Sequence, residues 1–262
     1  MLAHNPRLRR IELAHPEFAS CSDIERLKGV VRYEMMRSGS SRGVLRVLTE
    51  GPVKEDEFRV EAKFPAGRGE LVFLGFNLPS RLPSEQTLHD ETLYLAKVLC
   101  SARRPLPENL DIVRLQADQR TALDLEFLYS QTYSDYPVPL NSGVLLSRLR
   151  DSIAYGVFSK GRMVSALFGQ TCHYGGIPVV EFTLSASIPS IRGIGMTTAL
   201  AAKIRAEALE RDGSSITLAE TIAAPVMRSC HDLGMMPHGV LREHYSMTIG
   251  NKTYTNLYVW SL

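Results

Sequence analysis

The residues with the plainest chemical potential are Arg192-Gly193-Ile194-Gly195, which stand between two runs of different character. Before them lies an apolar, strand-like stretch, Ile177-Pro-Val-Val-Glu-Phe-Thr-Leu184, and after them a helix-like one, Leu200 to Leu209. A strand that turns through two glycines into a helix leaves unpaired N–H groups at the helix start, together with the positive end of the helix dipole. That makes a cradle for an anion, most naturally a phosphate or pyrophosphate, although the same pattern also serves as a plain tight turn. The glycines let the backbone approach a ligand closely, and Arg192 adds a cation beside it. The third glycine of a dinucleotide fingerprint is missing, as is the Gly-Lys-Ser/Thr ending of a P-loop.

The elements that must position this loop follow from periodicity. Residues 1–20 read as an irregular, mildly basic lead-in. From Asp23, a helix-capping type, Ile24, Leu27, Val30, Val31 and Met35 recur at helical spacing until Gly39. Strands are expected over 43–48 and 58–64, the second turning through Pro65–Gly69 into a partner over 70–76. A helix over 85–99 and an Arg/Pro-rich linker at 103–107 end this small α/β unit, with a boundary near residue 107. Beyond it come a strand at 110–115, helices over 119–132 and 145–152, strands at 154–158 and 163–169, and the strand that enters the loop. A helix, a strand over 215–219, a helix over 225–233 capped by Gly234, and a hairpin spanning 236–249 and 253–260 complete the chain.

The bulk numbers narrow the classes. A chain of 262 residues with 44% hydrophobic content is long enough for one large or two small globular domains. No eighteen-residue apolar run occurs, and no apolar signal-peptide core follows the N-terminus, so a cytoplasmic protein off the membrane is expected. A net charge of +2 without a basic block does not suggest nucleic acid. Cys21, Cys100, Cys172 and Cys230 form no Cys-x-x-Cys pair, so reduced and mostly buried thiols are expected and no metal site is.

The loop resembles the pyrophosphate loop of the GCN5-related N-acetyltransferase (GNAT) superfamily, Arg/Gln-x-x-Gly-x-Gly/Ala, with Arg192 and Gly195 at the first two marked positions and Thr197 at the last. The order of elements after residue 107 is also that of this fold. Several phrases resemble the β-lysine N-acetyltransferase branch: Phe58-Arg-Val-Glu-Ala-Lys-Phe-Pro65, Tyr136-Pro-Val-Pro-Leu140, Glu181-Phe-Thr183 with Pro189-Ser-Ile-Arg-Gly193, and Asn256-Leu-Tyr-Val-Trp260. The resemblance implies a mixed α/β (α+β) chain with the GNAT acyl-CoA acyltransferase fold over 108–262 and a small N-terminal α/β domain over 1–107. It further implies transfer of an acetyl group from acetyl-CoA, as co-substrate, to a primary amine of a small amino-acid-like molecule. A CoA-binding module without turnover is the alternative, and a nucleotide-binding domain a third. The N-terminal unit carries no evident chemistry and is expected to supply packing or a subunit contact, as in a homodimer.

On that reading Ile194, Met196, Thr197 and Thr198, with Arg192, Gly193 and Gly195, hold the CoA pyrophosphate. Ser185, Ala186, Ser187 and Ile188 offer backbone groups to the pantetheine arm. An alkyl ammonium has a pKa of about 10, so a base must free the amine before attack. Glu181, in an otherwise apolar strand leading to the loop, is the first candidate and Glu220, at the end of the next strand, the second; a solvent-facing strand residue is the plainer reading of Glu181. The family's thiolate-protonating tyrosine falls at Cys230, and its frequent asparagine at Ala223, which leaves the acid open among Tyr245, His231 and His244. Cys230 is a conceivable nucleophile or an inert buried thiol. Tyr133, Asp135 and Tyr136 could line and pair a cationic amine, or form an ordinary Pro-stiffened loop.

Overall fold

The computed structural model describes residues 2–5, 10–78, 85–103, 105, 107, 110–133, 139–210, 214–220, 224–245 and 255–261. In chain order the elements are β1 (Leu2–Asn5), β2 (Arg10–Phe18), α1 (Cys21–Ser38), β3 (Arg42–Thr49), β4 (Arg59–Ala66), β5 (Gly69–Asn77), α2 (Glu85–Leu99), β6 (Ile112–Arg114), α3 (Gln119–Thr132) and α4 (Ser142–Arg150). There follow β7 (Ser152–Ser159), β8 (Arg162–Tyr174), β9 (Ile177–Ser187), α5 (Met196–Leu209), β10 (Ser214–Glu220), α6 (Ala224–Asp232), β11 (Met236–Tyr245) and β12 (Thr255–Ser261). Beyond β6 this is the expected order of elements. Among the described residues no helix is long and apolar enough to cross a membrane.

The lead-in expected at residues 1–20 is instead two strands. Ile11 and Leu13 alternate with Arg10 and Glu12, so one face of β2 joins the core beneath α1 while the charges meet partners of their own. β2 pairs in parallel with β3, and α1 connects them. Ser20 and Asp23 form a reciprocal capping box at the start of α1, and Gly39, at φ +66°, closes its end. Ile24, Leu27, Val31 and Met35 turn inward, whereas Val30 of the same apolar run stays exposed.

Among the described residues the strands form one twelve-stranded sheet in the order β1-β2-β3-β5-β4-β11-β12-β10-β9-β8-β7-β6. β2/β3 and β9/β10 are the parallel pairs. The two halves of the chain meet where β4 pairs with β11 at Ala62 and Gly239. The approach there is so close that a Cβ at position 239 would lie 2.1 Å from the Glu61 carbonyl oxygen, so glycine is required. The sheet then curls back on itself. Gly175 lies against Phe18 and Leu48, and Arg46 of β3 reaches Glu181 of β9 at 2.8 Å, although those strands stand six places apart. Between the facing halves runs an apolar seam that includes Leu48, Phe64, Phe73, Val179, Ile216, Leu241 and Leu257.

Alternation along β7, and along β8 on either side of a register shift opposite Val157 and Phe158, feeds both faces of the second half. Ile153, Val157, Val164 and Leu167 pack with α5 and α6, while Ala154, Met163, Ala166 and Phe168 pack with α3 and α4. α2 belongs to the first of these cores, through Tyr94, Leu95, Val98 and Leu99. Its buried Glu91 accepts a hydrogen bond from Asn256 of β12 at 2.8 Å. The cysteines depart from expectation in their burial: all four are free, but Cys21 and Cys100 are exposed, Cys172 is half-buried and only Cys230 is buried. Cys21 opens α1 and Cys100 directly follows α2, positions that face outward at helix termini.

Candidate functional site

β9 and β10 run side by side only as far as Phe182 and Thr217. Past that point β10 continues on β12 as far as Glu220, opposite Leu257, and β9 continues on β8 as far as Ser187, opposite Ser165. Two parallel strands, each held by an outer neighbour, thus part and leave a slot between them. β9 is reshaped at the same place. Its register with β8 jumps from Phe168–Thr183 to Ala166–Ala186, and Leu184 takes φ +49°, a left-handed conformation rare for a non-glycine residue.

The bulge is held from α3. The buried Tyr129 hydroxyl donates to the Leu184 carbonyl oxygen at 2.6 Å, and the Tyr133 hydroxyl donates to the carbonyl oxygen of Ser185. The two rings stack with centroids 5.8 Å apart. Their i, i+4 spacing puts both on one face at the end of α3.

The slot opens into a groove of about 620 Å³ lined by Ser185, Ala186 and Ser187 of β9, the loop from Ile191 to Gly195, Met196 and Thr197 of α5, and Thr132 and Tyr133 at the end of α3. Pro225, Val226, Arg228 and Ser229 of α6 and Tyr94, Lys97 and Val98 of α2 complete it, with Ser101. The loop glycines are in the left-handed region, Gly193 at φ +84° and Gly195 at +86°. Gly195 is the N-cap of α5 and gives it no side-chain cap, so the first amides of the helix keep their donors for another partner. The charged side chains among the described lining residues, Lys97, Arg192 and Arg228, are all cationic. An uncapped helix start in a groove also lined by Lys97 and Arg192 suits a polyanion, while Arg228 is engaged by Asp232.

Of the residues read from sequence as cofactor contacts, Ser185, Ala186, Ser187, Arg192, Gly193, Gly195, Met196 and Thr197 line this groove together. Arg192 Nε donates back to the Ser187 carbonyl at 3.1 Å, which keeps the loop folded against the end of β9. Ile188 packs into the core, Ile194 projects into solvent, and buried Thr198 donates to Ser229 Oγ at 2.9 Å, tying α5 to α6.

The catalytic candidates are more scattered. Glu181 lies outside the groove lining: its carboxylate binds Arg46, whose Nε also meets Glu12 at 2.5 Å. Its surroundings thus include a guanidinium, where the sequence suggests an apolar strand. Burial alone would lower the Arg46 pKa, but Glu12 and then Glu181 raise it well above its ordinary value. Burial likewise acts to raise the Glu12 pKa, and Arg46, Arg10 and Arg42 reverse this and lower it. Cys230 is buried in the α5/α6 core, and burial pushes its thiol far up, which suits an inert residue and not a nucleophile. His231 is also buried. Glu220 is the last residue of β10 and Tyr245 the last of β11; their side chains lie outside the described residues, as does His244's. Of the substrate candidates Tyr133 lines the groove, while Asp135 and Tyr136 lie outside the described residues.

Sequence reasoning missed the wall contributed by α2. Arg228 pairs with Asp232 at 3.0 Å and donates to Ser101 Oγ and the Ala102 carbonyl, fastening the end of α2 beside α6. Pro107 comes next to Gly195, where a Cβ would meet its Cδ at 3.2 Å. The Arg228–Asp232 pair at i, i+4 is visible in the sequence, but nothing local announces a partner 127 residues away.

Fold and site together define a mixed α/β chain with a glycine-containing strand–loop–helix, uncapped at the helix start, beside a parted pair of parallel strands. No protein-family model matches the chain, and no curated protein matches it. Solved structures resemble it in part. NAA60 of Arabidopsis thaliana, crystallised with a bisubstrate analogue, is 11% identical over 58% of this chain and 97% of its own, with a TM-score of 0.47. The ribosomal-protein-S18-alanine N-acetyltransferase of Escherichia coli is 13% identical over 59% of this chain and 93% of its own, with a TM-score of 0.48. A GNAT-family acetyltransferase of Streptococcus pneumoniae is 13% identical over 59% of this chain and 99% of its own, also at 0.48. Likenesses at this level leave the functional reading to the geometry of the site.

Proposed function

We propose that the chain is a GNAT-type N-acetyltransferase that moves the acetyl group of acetyl-CoA to a primary amine of a small, amino-acid-like substrate of the β-lysine kind. The observation that carries this is the parting of β9 and β10 immediately before the Gly193–Gly195 loop. A long, thin ligand with a polyanionic end fits such a site. The pyrophosphate takes the free amides at the start of α5 with Arg192 and Lys97 nearby, and the pantetheine arm lies along Ser185 to Ser187, pairing like an added strand. Bound there, acetyl-CoA supplies an activated acyl group held in one orientation.

The acceptor must lose a proton before it attacks. Glu181 is engaged by Arg46, so we assign this step to Glu220, at the end of β10 on the far arm of the slot. We read residues 108–262 as the catalytic unit of a cytoplasmic protein and 1–107 as a unit that packs behind it. Release of free thiol from acetyl-CoA over lysine, β-lysine and aliphatic diamines tests the reading, alongside calorimetric titration of CoA. Turnover of one of these amines is the expected result, and failure to bind CoA overturns the reading. The burial of Cys230 where the family has a tyrosine favours one second reading, a CoA-binding module: tight CoA binding without turnover would establish it.

A further inference from the structure

Acetyl transfer, on which this inference rests, ends with a thiolate that must be protonated, and Cys230 is sealed in the core instead of facing the groove. We infer that the Tyr133 hydroxyl is the proton donor to the departing thiolate. Tyr133 lines the groove, and its hydroxyl donates to the Ser185 carbonyl oxygen at the bulge where the register of β9 on β8 shifts. Ser185 stands three residues past the point where β9 and β10 part, on the stretch of β9 along which the arm of a phosphate-anchored ligand lies in the proposed pose. The ring is held on its face by Tyr129, itself fixed by the bond to Leu184.

Of the other hydroxyls lining the groove, Thr132 donates to backbone carbonyls of its own helix, Ser101 to Val98 and Ser229 to Pro225, and Tyr94 is the other phenol among the described lining residues. Alkyl hydroxyls are also far weaker acids than a phenol, whose ordinary pKa of about 10 lies within about two units of a thiol's, at about 8.5. In the step the amine nitrogen attacks the carbonyl carbon and the C–N bond forms. The C–S bond breaks with its electron pair left on sulfur, and sulfur takes the phenolic proton. The phenolate then recovers a proton originating from the acceptor nitrogen, so the net products are the amide and the free thiol.

The test compares Tyr133→Phe with wild type, using acetyl-CoA and L-lysine, β-lysine or putrescine as acceptors. The expected result is a fall in kcat of about 100-fold, the ordinary weight of a general acid, with the acetyl-CoA Kd nearly unchanged. With S-phenyl thioacetate, whose aryl thiolate leaves with less need of a proton, the gap between the two proteins should narrow to about tenfold or less. A kcat retained in Tyr133→Phe overturns the inference. So does a Kd that worsens in step with kcat, which would make Tyr133 only a support of the bulge, or a loss seen in Tyr94→Phe instead. No turnover by wild type of any of these amines would remove the acetyl-transfer reading itself, a result distinct from all of these.

Discussion

Gly195→Glu probes the claim that the start of α5 holds an anion, and Gly195→Ala separates its two components. Gly195 sits at φ +86°, where any side chain adds about 1–2 kcal/mol of backbone strain. A Cβ there would also stand 3.2 Å from Pro107 Cδ, so the neighbouring chain must shift by a few tenths of an ångström. Both effects act on the folded state and are shared by Ala and Glu. The glutamate adds a carboxylate within about 5 Å of a phosphate seated on the α5 amides, a repulsion of about 3 kcal/mol at an effective dielectric of about 20, or about 100-fold in affinity. Gly195→Glu should therefore bind CoA about 100-fold more weakly than Gly195→Ala at low salt, and the difference should shrink at molar salt, where the screening length falls to about 3 Å. Calorimetric titration of both variants at two ionic strengths reads this out. Equal CoA affinity of the two variants, with both folded, would refute the phosphate site and leave the loop a turn.

Glu12→Gln removes one of two carboxylates on the buried Arg46, Glu181 remaining, and should cost about 1–3 kcal/mol at neutral pH, measured by urea denaturation. Because the Glu12 pKa is lowered below its ordinary 4.5 on folding, its contribution is present above that value and lost as pH falls through the lower folded pKa; the variant should show a shallower loss of stability in acid. Gly239→Ala forces a methyl against the Glu61 carbonyl and should lower stability by about 1–3 kcal/mol, with no change in m-value; a neutral result would show that β4 and β11 part without penalty. Arg228→Ala should cost about 1–3 kcal/mol and raise amide exchange at residues 100–103, while unchanged exchange would mean that the end of α2 is held by its apolar face alone.

Much of this architecture is legible because its signals are local. The loop at 192–195 follows an apolar run and precedes an alanine-rich one, which is enough to assign strand, turn and helix. Asp23 marks α1 as a capping type, though Ser20 is the N-cap and Asp23 its reciprocal partner. β2 escapes because Arg10 and Glu12 between Ile11 and Leu13 look like a solvated lead-in until Arg46 comes to lie opposite. The ion pair of Glu181 is hidden for the same reason, its partner being 135 residues distant. The bulge has no sequence signature at all: a leucine at positive φ is imposed by its surroundings, here two tyrosines that draw on neighbouring carbonyls. The wall from α2 depends on Arg228 reaching across the fold.

That wall changes what occupancy of the groove would mean for the whole molecule. A ligand seated there touches segments from Tyr94 on α2 to Ser229 on α6, so its binding free energy is not confined to one loop. By mass action, a ligand at one hundred times its Kd adds about 2.7 kcal/mol to the folded state. Since α2 is fastened to α6 through Arg228 and to β12 through Glu91, that increment is distributed across elements whose loss opens the sheet interior. The melting temperature of the intact chain would then gauge occupancy of the groove, and depletion of such a ligand would register as faster turnover of the protein itself.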